Sequence, residues 1–125
     1  MSYTTNGPRY RVYFYRTESG RCQACDYARG MDKNHQTKAK LRFSALSKFG
    51  PEVSVEHGKH LRDGVWELRI IYQHHQHRFL YMFWGHIIVV TNAFLKKSAK
   101  VPEGEIERAR RAMSEWIERR GWEAI

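Results

Sequence analysis

Three apolar segments in the second half of the chain have the length and composition of β-strands. They span residues 65–72, 78–84 and 87–94 and are rich in β-branched and aromatic side chains. Short polar stretches at 73–77 and 85–86 separate them, which predicts a meander of consecutive antiparallel strands. Both faces of the middle segment are mostly apolar, so we expect it to be a central strand that is covered on both sides.

The first half of the chain predicts one strand followed by two helices. Alternating aromatic and β-branched residues at 9–16 indicate a first strand. A short helix is expected over 21–31 and a longer one over about 33–49, where apolar residues recur every three to four positions before a glycine-proline stop. Residues 51–63 mix charges with a glycine and are interpreted as a loop, in which Val53 to Val55 could form a short extended piece.

A last helix is predicted near the end of the chain. It begins after Pro102 with acidic residues in its first turn, carries an apolar stripe over 106–117 and stops at Gly121. The order β, α, α, β, β, β, α predicts an α+β fold in a single domain over 1–125. We expect a mostly antiparallel sheet of about four strands, with an N-terminal helical hairpin and a C-terminal helix packed on it.

Composition limits the class of protein and its partner. The 125 residues contain 22 Lys and Arg against 13 Asp and Glu, which gives a formal charge of +9, and 42% of the residues are hydrophobic. This content is too apolar for a disordered basic tail, and no apolar run approaches the roughly 20 residues of a membrane-spanning helix. We therefore expect a cytoplasmic protein with no membrane association and a polyanionic partner, for which nucleic acid is the first candidate. The spacing of Cys22 and Cys25 fits reduced thiols on one helical turn as well as any other state.

The positive charge is concentrated on the strand half of the chain. Between Gly64 and Lys100 five basic residues stand against one acidic residue, Glu67, so this segment carries 5 − 1 = +4. The five are Arg69, Arg78, Lys96, Lys97 and Lys100. Either arginine alone could be neutralised by a neighbouring carboxylate, but one carboxylate cannot pair with all five cations. The excess predicts an anionic ligand.

Three motifs in this half resemble a known toxin family. They are Leu61-Arg-Asp-Gly-Val-Trp-Glu-Leu-Arg-Ile70, Arg78-Phe-Leu-Tyr-Met-Phe83 and Ala93-Phe-Leu-Lys-Lys-Ser98, the last followed by Pro102 and an acidic helix start. In this order and at this compact spacing they resemble the phage-derived, HigB-like branch of the RelE toxin superfamily. The resemblance covers about residues 59–112, and the strand and helical hairpin upstream agree with it.

The resemblance implies the toxin of a type II toxin–antitoxin pair. Such a toxin is an mRNA interferase, a ribosome-dependent endoribonuclease that cleaves mRNA in the ribosomal A site, next to rRNA. It cleaves by attack of the ribose 2′-OH on the scissile phosphate, without metal or other cofactor. A small helix-turn-helix antitoxin would hold it inactive. The chain departs from several relatives in having no Tyr or His in the last helix or tail, which motivates an alternative: a non-catalytic, basic module of phage origin that binds nucleic acid or a host protein with the same fold.

The motif matches assign candidate roles. Arg69 and Arg78 are expected to clamp phosphate, because a guanidinium binds phosphate oxygens bidentately. Lys96 and Lys97 are expected to contact the substrate backbone or stabilise the transition state, and a lysine among like charges can also exchange protons. The remaining RNA-binding candidates are Lys59, Lys100, His77 and His86.

The proton-transfer groups are left open by the sequence. Glu67, Tyr81, His77 and His86 are all candidates for the general base or acid. Glu67 shares a strand face with Arg69 and is equally compatible with a role as its ion-pair partner. Tyr81 lies three residues after Arg78, so it points to the opposite face and is interpreted as a core residue.

Two further clusters are interpreted without metal. The His74-His75-Gln76-His77 run lies in a predicted hairpin turn and lacks the cysteine or carboxylate ligands that a zinc site needs, so a solvated turn is favoured. The Cys22-x-x-Cys25 pair lacks a second ligand pair, which disfavours a zinc or redox role.

Overall fold

A five-stranded sheet forms the centre of the molecule. The computed structural model describes residues 9–120, without the side chain of Arg120. The elements follow one another as β1 (Arg11–Phe14), α1 (Gln23–Arg29), α2 (Lys33–Phe49), a 3-10 turn (Gly50–Glu52), β2 (Gly58–Arg62), β3 (Val65–Tyr72), β4 (His75–Trp84), β5 (Ile87–Leu95) and α3 (Glu103–Arg120). The predicted α+β class is confirmed.

The strand order is β1-β5-β4-β3-β2. Strands β2 to β5 pair antiparallel as a meander, and β1 pairs parallel with β5. The expectation that β4 is central and covered on both sides is confirmed.

Two helical layers cover the two faces of the sheet. On one face the hairpin of α1 and α2 packs Ala28, Phe43 and Leu46 against apolar residues of the strands, among them Phe79 and Tyr81. On the other face α3 packs its apolar stripe, and the core residues there are Val65, Leu80, Ile87, Val89, Ile106, Ala109, Met113 and Trp116. The predicted placement of the helical hairpin and the last helix on the sheet is therefore confirmed, while the predicted stop at Gly121 lies outside the described residues.

The prediction of about four strands is corrected by β2, which occupies part of the segment interpreted as a loop. This strand is a short, polar edge strand joined to β3 by a two-residue turn, Asp63-Gly64, in which both residues have positive φ (52° and 77°). That conformation is the one preferred in tight β-hairpins. Its pairing with β3 places Lys59 opposite Glu67.

The two cysteines are oxidised in the structure. Cys22 and Cys25 are joined by a disulfide, a state that their spacing alone left open. Cys22 is the N-cap of α1 and has an extended backbone, which turns its sulfur back over the first helical turn and brings the two Cα atoms to 5.2 Å. Both residues are buried.

The position of α3 leaves one part of its sheet face uncovered. Asn92 of β5 donates to the Glu105 side chain in the first turn of α3 (2.9 Å), so the helix begins above the Leu80–Asn92 pair. The next pair on this face, Arg78 opposite Phe94, lies beyond the start of the helix. This end of the face, which is uncovered by α3 although Arg78 and Glu67 on it are buried, carries the candidate site.

Candidate functional site

One buried carboxylate joins the two arginines of the candidate site. Arg69 and Arg78 lie directly opposite each other on β3 and β4, an arrangement of like charges that is unfavourable by itself. Glu67 lies on the same face and accepts from both: Arg78 Nε donates to Oε1 at 3.0 Å and Arg69 Nε to Oε2 at 3.2 Å. The three side chains therefore form an ion triad with a net charge of +1.

The two arginines differ in their exposure. Arg78 is 2% exposed and Glu67 1%, whereas the side chain of Arg69 is 25% exposed. Arg78 Nη2 donates to the Gln76 side chain (2.9 Å) and Nη1 to the His77 carbonyl (3.2 Å). Burial lowers the pKa of Arg78 and Glu67 opposes this effect, but a guanidinium stays charged in a protein. Arg78 thus provides a fixed charge beneath the surface, and Arg69 provides the accessible one.

Two lysines extend the charge of the triad. Lys59 is the cross-strand partner of Glu67, and the backbone N–H of Lys96 bonds to the Gln76 carbonyl (2.9 Å), which continues the β4–β5 pairing past the end of β5. Burial lowers the pKa of the Lys96 ammonium, and the positive charge of Arg78 lowers it further. We call Lys59, Glu67, Arg69, Arg78 and Lys96 the basic patch; it contains four cations and one carboxylate.

Four of the predicted site residues lie apart from the basic patch, three of them at its margin or beyond it and the fourth, His77, on the opposite face of the sheet. Lys97 and Lys100 are exposed in the loop that follows β5. His86 lies in the turn beyond the far end of β4, roughly 20 Å along the strand from Arg78 at 3.3 Å per residue. The structure therefore brings together Lys59, Glu67, Arg69, Arg78 and Lys96, and leaves Lys97, Lys100 and His86 at its margin or beyond it.

The interpretation of the histidine run as a solvated turn is wrong for its last member. The turn consists of Gln73 and His74, both with positive φ, and β4 already begins at His75. His77 is 5% exposed and points to the α1–α2 face, away from Arg78. Its Nε2 bonds to His35 Nδ1 (2.8 Å) and its Nδ1 to the Tyr27 hydroxyl (2.7 Å). His77 therefore fixes the helical hairpin to β4 and does not face the basic patch.

The burial of His77 predicts a loss of stability in acid. Burial lowers its pKa to about 4, and repulsion from His35, His75 and Arg78 adds to this effect, opposed by Asp32. Between the ordinary histidine pKa of about 6.5 and this value the unfolded chain binds a proton that the folded chain does not, so the free energy of unfolding falls as the pH falls, by about 3 kcal/mol in total.

The measurement is urea unfolding at pH 7, 5.5 and 4.5. His77→Gln should show a weaker pH dependence than wild type, while His74→Asn, a change in the exposed turn, should follow wild type. Parallel curves for wild type and His77→Gln would contradict the assignment.

Two of the candidate proton-transfer groups are occupied or buried. Both carboxylate oxygens of Glu67 accept from arginines, which supports the ion-pair interpretation of this residue. Tyr81 is fully buried, as predicted, and burial raises its pKa. Lys96 is the member of the basic patch whose lowered pKa favours proton exchange.

Sequence reasoning missed Gln76, which holds Arg78 in place. Its side chain accepts from Arg78 Nη2, and its carbonyl accepts from the Lys96 backbone. The signal was present in the period of two, which places Gln76 on the same face of β4 as Arg78. The assignment of residues 73–77 to a turn concealed it.

Neither a metal-binding cluster nor a membrane-spanning helix is present in the described part of the chain. Over 9–120, no group of three or more His, Cys, Asp or Glu side chains is arranged to hold a metal ion. Over the same residues, none of the helices has the length and apolar character needed to cross a membrane.

The comparison with known protein families gives one match. The model of the family described as "Phage derived protein Gp49-like (DUF891)" matches residues 26–114. The matched range includes α2, α1 in large part, the whole meander and most of α3, and it contains every residue of the basic patch. No curated protein matches the chain.

Proposed function

The chain belongs to the Gp49-like family of phage-derived proteins, a RelE/HigB-like toxin family, and we propose that it is an RNA-cleaving toxin. The observation that carries the proposal is the basic patch, in which two arginines share a single carboxylate and the adjacent lysines add further positive charge. Excess positive charge at the uncovered end of a sheet face is suited to an RNA phosphate.

The geometry supports a division of roles during cleavage. The 2′-oxygen attacks the adjacent phosphorus while the P–O5′ bond breaks, and negative charge accumulates on the non-bridging oxygens. Arg69, the exposed arginine, would contact these oxygens, and Arg78 would hold Glu67 and Arg69 in position from below. Lys96 would donate a proton to the departing 5′-oxygen, because an ammonium with a lowered pKa is a stronger acid. The proton of the 2′-hydroxyl would pass to water.

The partners belong to the same proposal. The substrate would be mRNA in the ribosomal A site, and the exposed Lys97 and Lys100 would contact substrate or rRNA phosphates beside the basic patch. A small helix-turn-helix antitoxin encoded by the neighbouring gene would inhibit the toxin.

A second candidate function is a non-catalytic module that binds RNA or a host protein. The observation that favours it is the occupation of Glu67 by two arginines together with the complete burial of Tyr81. These contacts leave Lys96 to perform proton transfer alone.

Induced expression separates the two functions. Wild type should arrest bacterial growth, and primer extension should show new cuts within translated mRNAs. Arg69→Gln should permit growth, while Arg110→Gln, which removes an exposed arginine on α3, should remain toxic. Coexpression with the product of the neighbouring gene should restore growth. Harmless accumulation of folded wild type, with intact mRNA, would reject the endonuclease in favour of the binding module.

A further inference from the structure

A second basic cavity shares Arg69 with the basic patch. It has a volume of about 310 Å³ and is lined by Arg42 of α2, by Glu56 and His57 in the segment before β2, and by Arg69 and Ile71 of β3. The His57 carbonyl accepts from the backbone N–H of Arg69 (2.6 Å), so the floor of the cavity continues the edge of the sheet. The volume is at the small end for ligand pockets and suits a single nucleotide unit.

Arg42 lines this cavity and has an unsatisfied donor. Its Nε is buried, and no group in the described part of the chain accepts a hydrogen bond from it. A buried guanidinium N–H without an acceptor is costly, and such groups in native proteins usually have a partner. An anionic oxygen in the cavity would provide this acceptor once the Arg42 side chain, which lines the cavity, rotates to turn its buried Nε towards the oxygen.

The other lining groups favour an anion as well. Arg69 uses its Nε for Glu67, and the residue lines the cavity together with Arg42. Burial lowers the pKa of His57, and the Arg42 charge lowers it further, which favours the neutral imidazole beside the two arginines. Glu56 is the single carboxylate of the lining, against two arginines.

We propose that this cavity binds a second phosphodiester of single-stranded RNA, adjacent to the phosphate at the basic patch, with Arg42 as its principal contact and Arg69 between the two phosphates. The inference rests on the proposed function for the identity of the polymer. Ile71, which is 48% exposed at the rim, provides an apolar surface for a ribose or base. The substrate path would then run from the uncovered sheet face around the edge of β3 towards α2.

The test compares two variants of the same helix. Arg42→Met removes the unsatisfied donor, and Lys40→Met removes an exposed cation two residues earlier, on roughly the opposite side of α2. The probe is a fluorescein-labelled 2′-O-methyl octanucleotide, which binds without being cleaved, and its anisotropy is measured from 50 to 300 mM salt. Arg42→Met should bind about tenfold more weakly at 100 mM salt, with a log–log salt slope less negative by about 0.7. Lys40→Met should keep the wild-type slope.

Thermal unfolding distinguishes an RNA-binding role of Arg42 from a structural one, because loss of a structural residue would lower the Tm. Because Arg42→Met removes a buried donor that has no partner, its Tm without RNA should equal or exceed that of wild type. A lower Tm together with unchanged RNA affinity would assign Arg42 to the fold and overturn the proposal.

Cleavage of the all-ribose octanucleotide or of translated mRNA separates this inference from the proposed function. If Arg42→Met shows the weaker binding and altered slope but wild type cuts no RNA, the proposed subsite is supported and the proposed endonuclease activity is rejected. If wild type cuts RNA and Arg42→Met binds like Lys40→Met, the subsite is wrong and the proposed function is unaffected. Absence of both binding and cleavage would reject both.

Discussion

Replacing Arg78 with alanine is expected to lower the single-turnover rate of RNA cleavage by roughly 10² to 10³-fold. The guanidinium lies beneath the surface and is held by Glu67, Gln76 and the His77 carbonyl. Its loss removes a fixed positive charge under the phosphate and frees Glu67 to pair more closely with Arg69. The effect should therefore appear in the cleavage rate, while the affinity for a 2′-O-methyl octanucleotide should change little.

The controls separate positioning from folding. Arg78→Lys keeps the charge but not the planar fork, so it should recover part of the rate. Arg110→Gln should cleave as fast as wild type. The unfolding midpoint of each variant shows whether the protein assayed is folded. A folded Arg78→Ala protein that cleaves at the wild-type rate would exclude Arg78 from the site.

The meander was predictable because its signals are local. The bounds of β3 were predicted as observed, and β5 is one residue longer than predicted. The hairpin of β2 and β3 was missed although Asp63-Gly64 is a strong two-residue turn signal. The polar residues of β2 hid it, because an edge strand with exposed side chains has little apolar pattern to detect.

The long-range contacts were not predictable from local pattern. His77 is buried because it bonds to His35, 42 positions away, and to Tyr27 on another helix. A polar residue in a histidine-rich run is ordinarily assigned to solvent, so only the tertiary fold shows that it is a core residue. The sequence places Arg42 on the basic face of the second helix, but its proximity to the Arg69 cavity follows only from the packing of α2 against β3.

The residues of the basic patch were predicted from the sequence, but their burial was not. The period of two placed Glu67 and Arg69 on one face, and the count of charges required an anion. Neither pattern showed that Arg78 is buried or that both arginines share the single carboxylate. These contacts favour an ion-pair role for Glu67, which the sequence left open between a general base and an ion-pair partner.

Replacing Glu67 with glutamine is expected to destabilise the fold by about 3 to 5 kcal/mol, the cost of leaving a buried charge without its partner. The carboxylate is 1% exposed and separates two guanidiniums that face each other across β3 and β4. Without it the buried Arg78 is uncompensated and is repelled by Arg69. Urea unfolding at pH 7 measures the change. Glu107→Gln, which breaks a half-exposed pair on α3, should cost at most about 1 kcal/mol.

A double variant distinguishes the buried charge from other effects of losing Glu67. In Glu67→Gln with Arg78→Met the uncompensated charge is gone, so the double variant should be more stable than Glu67→Gln alone. If the two substitutions instead add, Glu67 does not act through Arg78, and the ion triad is not what stabilises this end of the sheet. The expected recovery would also separate stability from activity, because the double variant should fold and yet cleave no faster than Arg78→Ala.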